Sequence, residues 1–124
     1  MILEVQNISQ SFAEGFWMRQ KQVLFDVNMQ VSAGSIFGFL GANGAGKTTL
    51  IHLIAGLKRP KAGTIRIAGL DMRSHSAQAK QKLGYLPERP YFYEHLTGED
   101  FLTYLGALSR MSAPMIRARI PQVL

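Results

Sequence analysis

Cysteine is absent from the 124 residues, which excludes disulfides, thiolate metal sites and a cysteine nucleophile together. Long apolar runs are absent too. Although 47% of the residues are hydrophobic, no stretch approaches the roughly 18 consecutive apolar residues of a membrane span. Near the amino end Glu4 and Gln6 interrupt the apolar residues, so no secretory leader is expected there. Acidic residues are scarce, with 8 Asp and Glu against 14 Lys and Arg and a formal net charge of +6. The cations are scattered, as in Lys58, Arg59 and Lys61 or Arg117 and Arg119, without a long basic run or an RNA-binding motif. Direct nucleic-acid binding is therefore not expected. His52, His75 and His95 have no metal-ligand spacing and no acidic partner at a fixed offset, and read as structural or solvated. Repeats and low-complexity tracts are missing. One small, soluble, cytoplasmic domain is the expectation.

What is present is concentrated in eight residues. Gly41-Ala42-Asn43-Gly44-Ala45-Gly46-Lys47-Thr48 is a complete G-x-x-x-x-G-K-[ST] phosphate-binding loop. Its glycines permit a tight turn that points successive N–H groups at an anion. Lys47 is expected to reach the β- and γ-phosphates, and the Thr48 hydroxyl to ligate Mg²⁺. The flanks fit the motif. Ser35 to Leu40 is a short apolar run with the character of a buried parallel strand. Thr48 to Ala55 reads as a helix carrying Leu50, Ile51, Leu53 and Ile54, ended by Gly56 and Lys58-Arg59-Pro60.

Elsewhere the pattern is mixed. Ile2 to Ile8 reads as a strand. Val23 to Val31 alternates, with Val23, Phe25, Val27, Met29 and Val31 on one face and Leu24, Asp26, Asn28 and Gln30 on the other. Glu14 to Lys21 looks like a lengthened hairpin between them. Gly63 to Gly69 is a short strand bracketed by glycines. Ser74 to Lys82 is helix-permissive, and Leu83 to Leu86 is a brief strand ended by Pro87. Thr97 is an N-cap candidate, with Asp100 three residues on, for a helix reaching about Ser109. Ala113-Pro114 breaks the chain, and a further helix starts at Met115.

In that order the residues resemble the first half of an ABC-type ATPase domain. The loop with Thr49, the stretch Lys61-Ala62-Gly63-Thr64-Ile65 with Ala68-Gly69, and Gly84-Tyr85-Leu86-Pro87-Glu88 at the Q-loop spacing carry the resemblance. It implies an α/β fold: a P-loop NTPase core, with a parallel sheet and helices, plus an N-terminal antiparallel β segment. The implied divisions are 1–34 for the antiparallel segment, 35–88 for the core to the Q-loop, and 89–124 for the start of a helical subdomain.

The resemblance also assigns roles. Gly41, Asn43, Gly44, Ala45, Gly46, Lys47, Thr48 and Thr49 are expected to bind ATP, with Lys47 the sole catalytic candidate. Thr48 and Glu88 are the candidate Mg²⁺ ligands. Glu88 stands where the family usually has glutamine, and its carboxylate is a hard oxygen ligand; the competing reading is a solvated loop residue. Phe12 matches the family's adenine-stacking aromatic by its place after Ser11, and Trp17 matches better by distance to the loop. Phe12 is preferred, while the bland alternative is that both pack the hairpin. Residues 88–96, with Tyr91, Phe92 and Tyr93, resemble the patch that docks on a transmembrane permease subunit; core packing under the next helix competes with that role. Met18, Met111 and Met115 read as ordinary packing residues.

No Leu-Ser-Gly-Gly signature occurs, and no apolar strand ends in Asp-Glu. The Walker B aspartate, catalytic glutamate and switch histidine of the family are not found. These 124 residues are therefore expected to bind nucleotide weakly at best, without turnover, and to leave the apolar edge of Ile36–Leu40 unpaired, so that they either self-associate or belong with the rest of a longer polypeptide. The leading reading is the ATP-binding subunit of a membrane transporter, nearest the bacterial ABC-2-type exporters. It implies a second ATP-binding domain as dimer partner and a peripheral place on the cytoplasmic face of the cell membrane. The alternatives are a non-catalytic nucleotide-binding module and an ABC-type ATPase without a membrane partner. A GTPase would need an Asn-Lys-x-Asp motif, which is missing, and a small-molecule kinase would not be expected to show this opening.

Overall fold

The computed structural model describes residues 1–15 and 19–124, which form two units, Met1–Tyr85 and Leu86–Leu124. In the first unit β1 (Leu3–Glu14) and β2 (Arg19–Val31) make a long antiparallel hairpin. The helix α1 (Lys47–Ile54) follows, then β3 (Ala62–Ile67), β4 (Leu70–Asp71) and the short α2 (Ser76–Lys80). The strands form one sheet in the order β2-β1-β3-β4, with every pairing antiparallel.

The core explains why α1 lies where it does. Its Leu50 and Leu53 are buried with Val5, Ile8, Leu24, Ile65, Ile67 and Ala79. Burying each such leucine stabilises the unit by about 1.5–3 kcal/mol. Ile51, on the same helix, remains 41% exposed. At Gly63 (φ +91°) β3 crosses β1 so closely that a Cβ would collide with the carbonyl oxygens of Gln6 and Asn7. Glycine is required there by contact as well as by dihedral angle.

The hairpin departs from the strict alternation expected of β2. The register shifts between Ile8↔Val27 and Gln10↔Leu24, and Asp26 adopts a positive φ of 43°. Asp26 N–H donates to Ser9 Oγ at 3.0 Å, and Asn7 Nδ2 donates to Asp26 Oδ1 at 2.7 Å. The extra residue reverses the phase of the strand. Phe25, expected beside Val27, is 67% exposed, and Leu24, expected among polar neighbours, is 4% exposed.

Two expected strands are not formed. Ser35 to Leu40 joins no ladder and is exposed throughout, Ile36 and Leu40 almost completely. Leu83 to Leu86 joins none either. A parallel strand exists only through hydrogen-bonded neighbours, and among the described residues no parallel partner is available. The expected unpaired apolar segment is thus what the structure displays.

The second unit holds α3 (Gly98–Leu108) and α4 (Ala113–Val123). Thr97 caps α3 with a full capping box to Asp100. Pro114, expected as a break, lies instead in the first turn of α4 behind the N-cap Ser112, where its missing N–H costs nothing. Gly106 lets the helices close: a Cβ there would lie 2.7 Å from Ile116 Cγ1.

Candidate nucleotide site

The residues of the loop come together at the start of α1. The Asn43-Gly44 turn is closed by Ala45 N–H donating to the Ala42 carbonyl at 3.2 Å. Gly46 is the N-cap at φ 89°, ψ 5°, and no side chain caps that end of the helix. The first helical bond runs from Leu50 N–H to the Gly46 carbonyl at 2.9 Å. The amides preceding Leu50 at the helix start have no intrahelical acceptor, and the positive end of the helix dipole adds to their field.

Lys47 folds back over the loop. Its ammonium donates to the carbonyls of Gly41 and Ala42, the latter at 2.7 Å. These acceptors are neutral, and an ionised phosphate oxygen makes a stronger partner for the same donor. Thr48 is exposed and Thr49 half-buried, while Asn43, Gly44 and Ala45 are exposed.

What fixes the loop against the sheet was not legible beforehand. Gly46 is buried against β2: a Cβ on it would lie 2.7 Å from Leu24 Cδ2, 3.1 Å from the Val23 carbonyl oxygen and 3.3 Å from Val23 Cγ1. Val23 and Leu24 are therefore the seat of the phosphate loop. The signal available in the sequence was Leu24 itself, the single apolar residue on an otherwise polar face.

Phe12 sits half-buried on β1, with the Lys58 ammonium 4.6 Å from its ring centroid. Beside it Lys61 Nζ donates to Ser11 Oγ and Gln20 Oε1, each at 2.7 Å. Trp17 and Met18 lie outside the described residues. Glu88 is exposed in a bend of the second unit. Of the aromatic patch, Phe92 and Tyr93 make ring contacts with the next helix while remaining largely exposed. Phe92 packs at 5.4 Å on Phe101 of α3 and Tyr93 at 5.8 Å on Tyr104, whereas Tyr91 is 93% exposed. The hydrogen bond with Tyr93 raises the Tyr104 phenol above its ordinary value. Among the described residues no group of three His, Cys, Asp or Glu side chains could hold a metal ion. No helix among them is long and apolar enough to cross a membrane.

Comparison with known proteins agrees with this architecture. The chain is 40% identical over 124 residues to an uncharacterized ABC transporter ATP-binding protein of Nostoc sp., covering 99% of this chain and 36% of that protein. It is 34% identical over 113 residues to the Nod factor export ATP-binding protein I of Azorhizobium caulinodans, covering 90% and 35%. The chain thus spans about a third of the length of these curated relatives. A solved ATP-binding subunit of an ABC transporter superposes with a TM-score of 0.77 at 34% identity, over 100% of this chain and 49% of that one. A dimeric ATP-binding cassette in a post-hydrolysis state with ADP and Pi shares the fold at a TM-score of 0.77 and 19% identity, covering 97% and 54%. With the ABC transporter family profile matching residues 24–123, the chain belongs to that family.

Proposed function

We propose that this chain is the nucleotide-binding part of an ATP-binding subunit that couples ATP binding and hydrolysis to transport by a separate transmembrane partner. The observation that carries the reading is the uncapped start of α1, with Lys47 folded over the loop carbonyls. Free amides, a helix dipole and a mobile-ended ammonium at one place suit a triphosphate. ATP, when bound, supplies the phosphoanhydride whose cleavage drives transport.

The side chains divide the work. Gly41 and Asn43 to Gly46 supply the backbone cradle. Lys47 moves from the loop carbonyls to the β- and γ-phosphates. Thr48 would offer its hydroxyl to Mg²⁺, and Thr49 belongs to the same cradle. Phe12 presents a ring face to adenine. Residues 88–96 face the permease on the cytoplasmic side of the membrane, and a second ATP-binding domain completes the hydrolytic site. The nearest functional class is the bacterial ABC-2-type exporter, in keeping with the Nod factor export protein among its relatives.

The 124 residues themselves carry the binding half of this machinery and none of the family's signature or Walker B motifs. Binding without turnover is therefore the expected behaviour of the isolated chain. Calorimetric titration with Mg-ATP tests the reading, with Lys47→Ala alongside. Saturable binding weakened about tenfold or more in the variant is expected. Equal binding by both proteins would refute the assignment of the loop.

A further inference from the structure

The first unit contains a cavity of about 600 Å³ that none of the loop residues 41–48 lines. It opens at the opposite end of α1, where Leu53 and Gly56 meet β3, β4 and the start of α2. An eight-residue helix separates the two places by about 12 Å. The volume is that of a small-molecule pocket.

Its lining is unusual in charge. Lys58, Arg59, Arg66, Arg73 and Lys80 all contribute to the wall, against the single acid Asp71. That carboxylate is already engaged: its Oδ1 accepts from the Arg73 amide at 2.7 Å and the Ser74 amide at 3.2 Å. Three of the last four α1 carbonyls are taken up by backbone amides. The Ile51, His52 and Leu53 carbonyls accept from the amides of Ala55, Leu57 and Gly56. The cations come from four separate segments, the turn after α1, β3, the turn after β4 and α2, so the fold gathers them. Sequence spacing alone does not. Beneath them the buried Leu53 and Ile65, with Met72, form an apolar floor.

We infer that this cavity binds a phosphate-bearing anion with an apolar body, at a site distinct from the phosphate loop. A multiply charged phosphate satisfies cations that lack a matching set of carboxylates, and arginine forks pair bidentately with its oxygens. The apolar floor takes the remainder of the ligand. A free phosphorylated small molecule and an anionic lipid headgroup share this chemistry.

The test uses the chain carrying Lys47→Ala, which weakens the loop, and two probes. Inorganic pyrophosphate is titrated by calorimetry, and vesicles of phosphatidylglycerol are compared with phosphatidylcholine by co-sedimentation. Each is repeated with Arg66→Gln/Arg73→Gln and, separately, with Arg59→Gln/Lys80→Gln, and circular dichroism verifies that the variants fold. Saturable binding of either probe, weakened about tenfold or more in at least one folded double variant, supports the site. Pyrophosphate binding then identifies a free ligand, and binding to phosphatidylglycerol vesicles alone identifies a headgroup. Absence of saturable binding of both probes, or binding unchanged in both double variants, overturns it. Neither result bears on ATP binding at the loop, which the Lys47 comparison decides separately.

Discussion

Leu24 of β2 and Gly46 of the phosphate loop meet so closely that a methyl group on residue 46 would stand 2.7 Å from Leu24 Cδ2. The hairpin is thereby the support of the loop, and the turn into α1 is held from below by a side chain 22 residues upstream (46 − 24). Gly46→Ala has both a steric and a dihedral penalty, since φ there is +89°. A destabilisation of about 1–3 kcal/mol is expected, together with loss of Mg-ATP binding. Leu24→Ala removes the seat without touching the loop and is expected to cost about 2–5 kcal/mol. Denaturant unfolding and calorimetry on the two variants check both; a Gly46→Ala protein of unchanged stability would contradict the contact.

Phe12 separates the stacking role from plain packing. If adenine lies on the ring, Phe12→Leu lowers Mg-ATP affinity by roughly fivefold, about 1 kcal/mol, while Phe12→Trp retains it. The Lys58 ammonium already covers part of the ring at 4.6 Å. Equal affinity in wild type and Phe12→Leu, with lower stability, would assign the residue to hairpin packing alone.

Thr97 anchors the second unit. Its Oγ1 accepts from Asp100 N–H at 3.2 Å, and its own N–H donates to Asp100 Oδ2 at 3.3 Å. Thr97→Ala is expected to weaken the start of α3 by about 1 kcal/mol. Amide hydrogen exchange at Asp100 and Phe101, whose N–H groups bond to Thr97, should accelerate about fivefold if opening is local. Unaltered exchange would show that the box contributes nothing measurable.

Asp71 gives the pH dependence a sign. The Arg73 amide, first among the causes, holds its carboxyl below the ordinary value of 3.8; burial opposes this, and the Ser74 amide, Arg66 and Arg73 reinforce it. A lowered folded value means stabilisation that is fully present above pH 3.8 and lost as pH falls through the folded value. Asp71→Asn should therefore melt below the wild type at neutral pH, with the gap closing in acid beneath pH 3.8. A gap that widens in acid would reverse the assignment.

Local chemistry makes several elements legible in the sequence. The Gly41–Thr48 loop, the α1 helix stopped at Gly56, the β3 strand between Gly63 and Gly69, and the Thr97–Asp100 cap each rest on neighbours within a few residues. Leu24 and Phe25 lie on the faces opposite to those their alternation implies, for the converse reason. Their orientation depends on a bulge at Asp26, held by Asn7 and Ser9 from the other strand. Pro114 taken alone suggests a break; two residues behind the extended backbone of Ser112 it instead fits the first turn of α4.

The sequence by itself determined the phosphate loop, the family and the antiparallel opening, because motif spacing and short-range periodicity are properties of a linear chain. Only the tertiary structure decided that Leu24 seats Gly46, that a bulge at Asp26 turns Phe25 outward, and that five cations surround one cavity. Each of those depends on which distant segments the sheet brings together. Pairing register and burial are settled by long-range contacts that no local pattern encodes.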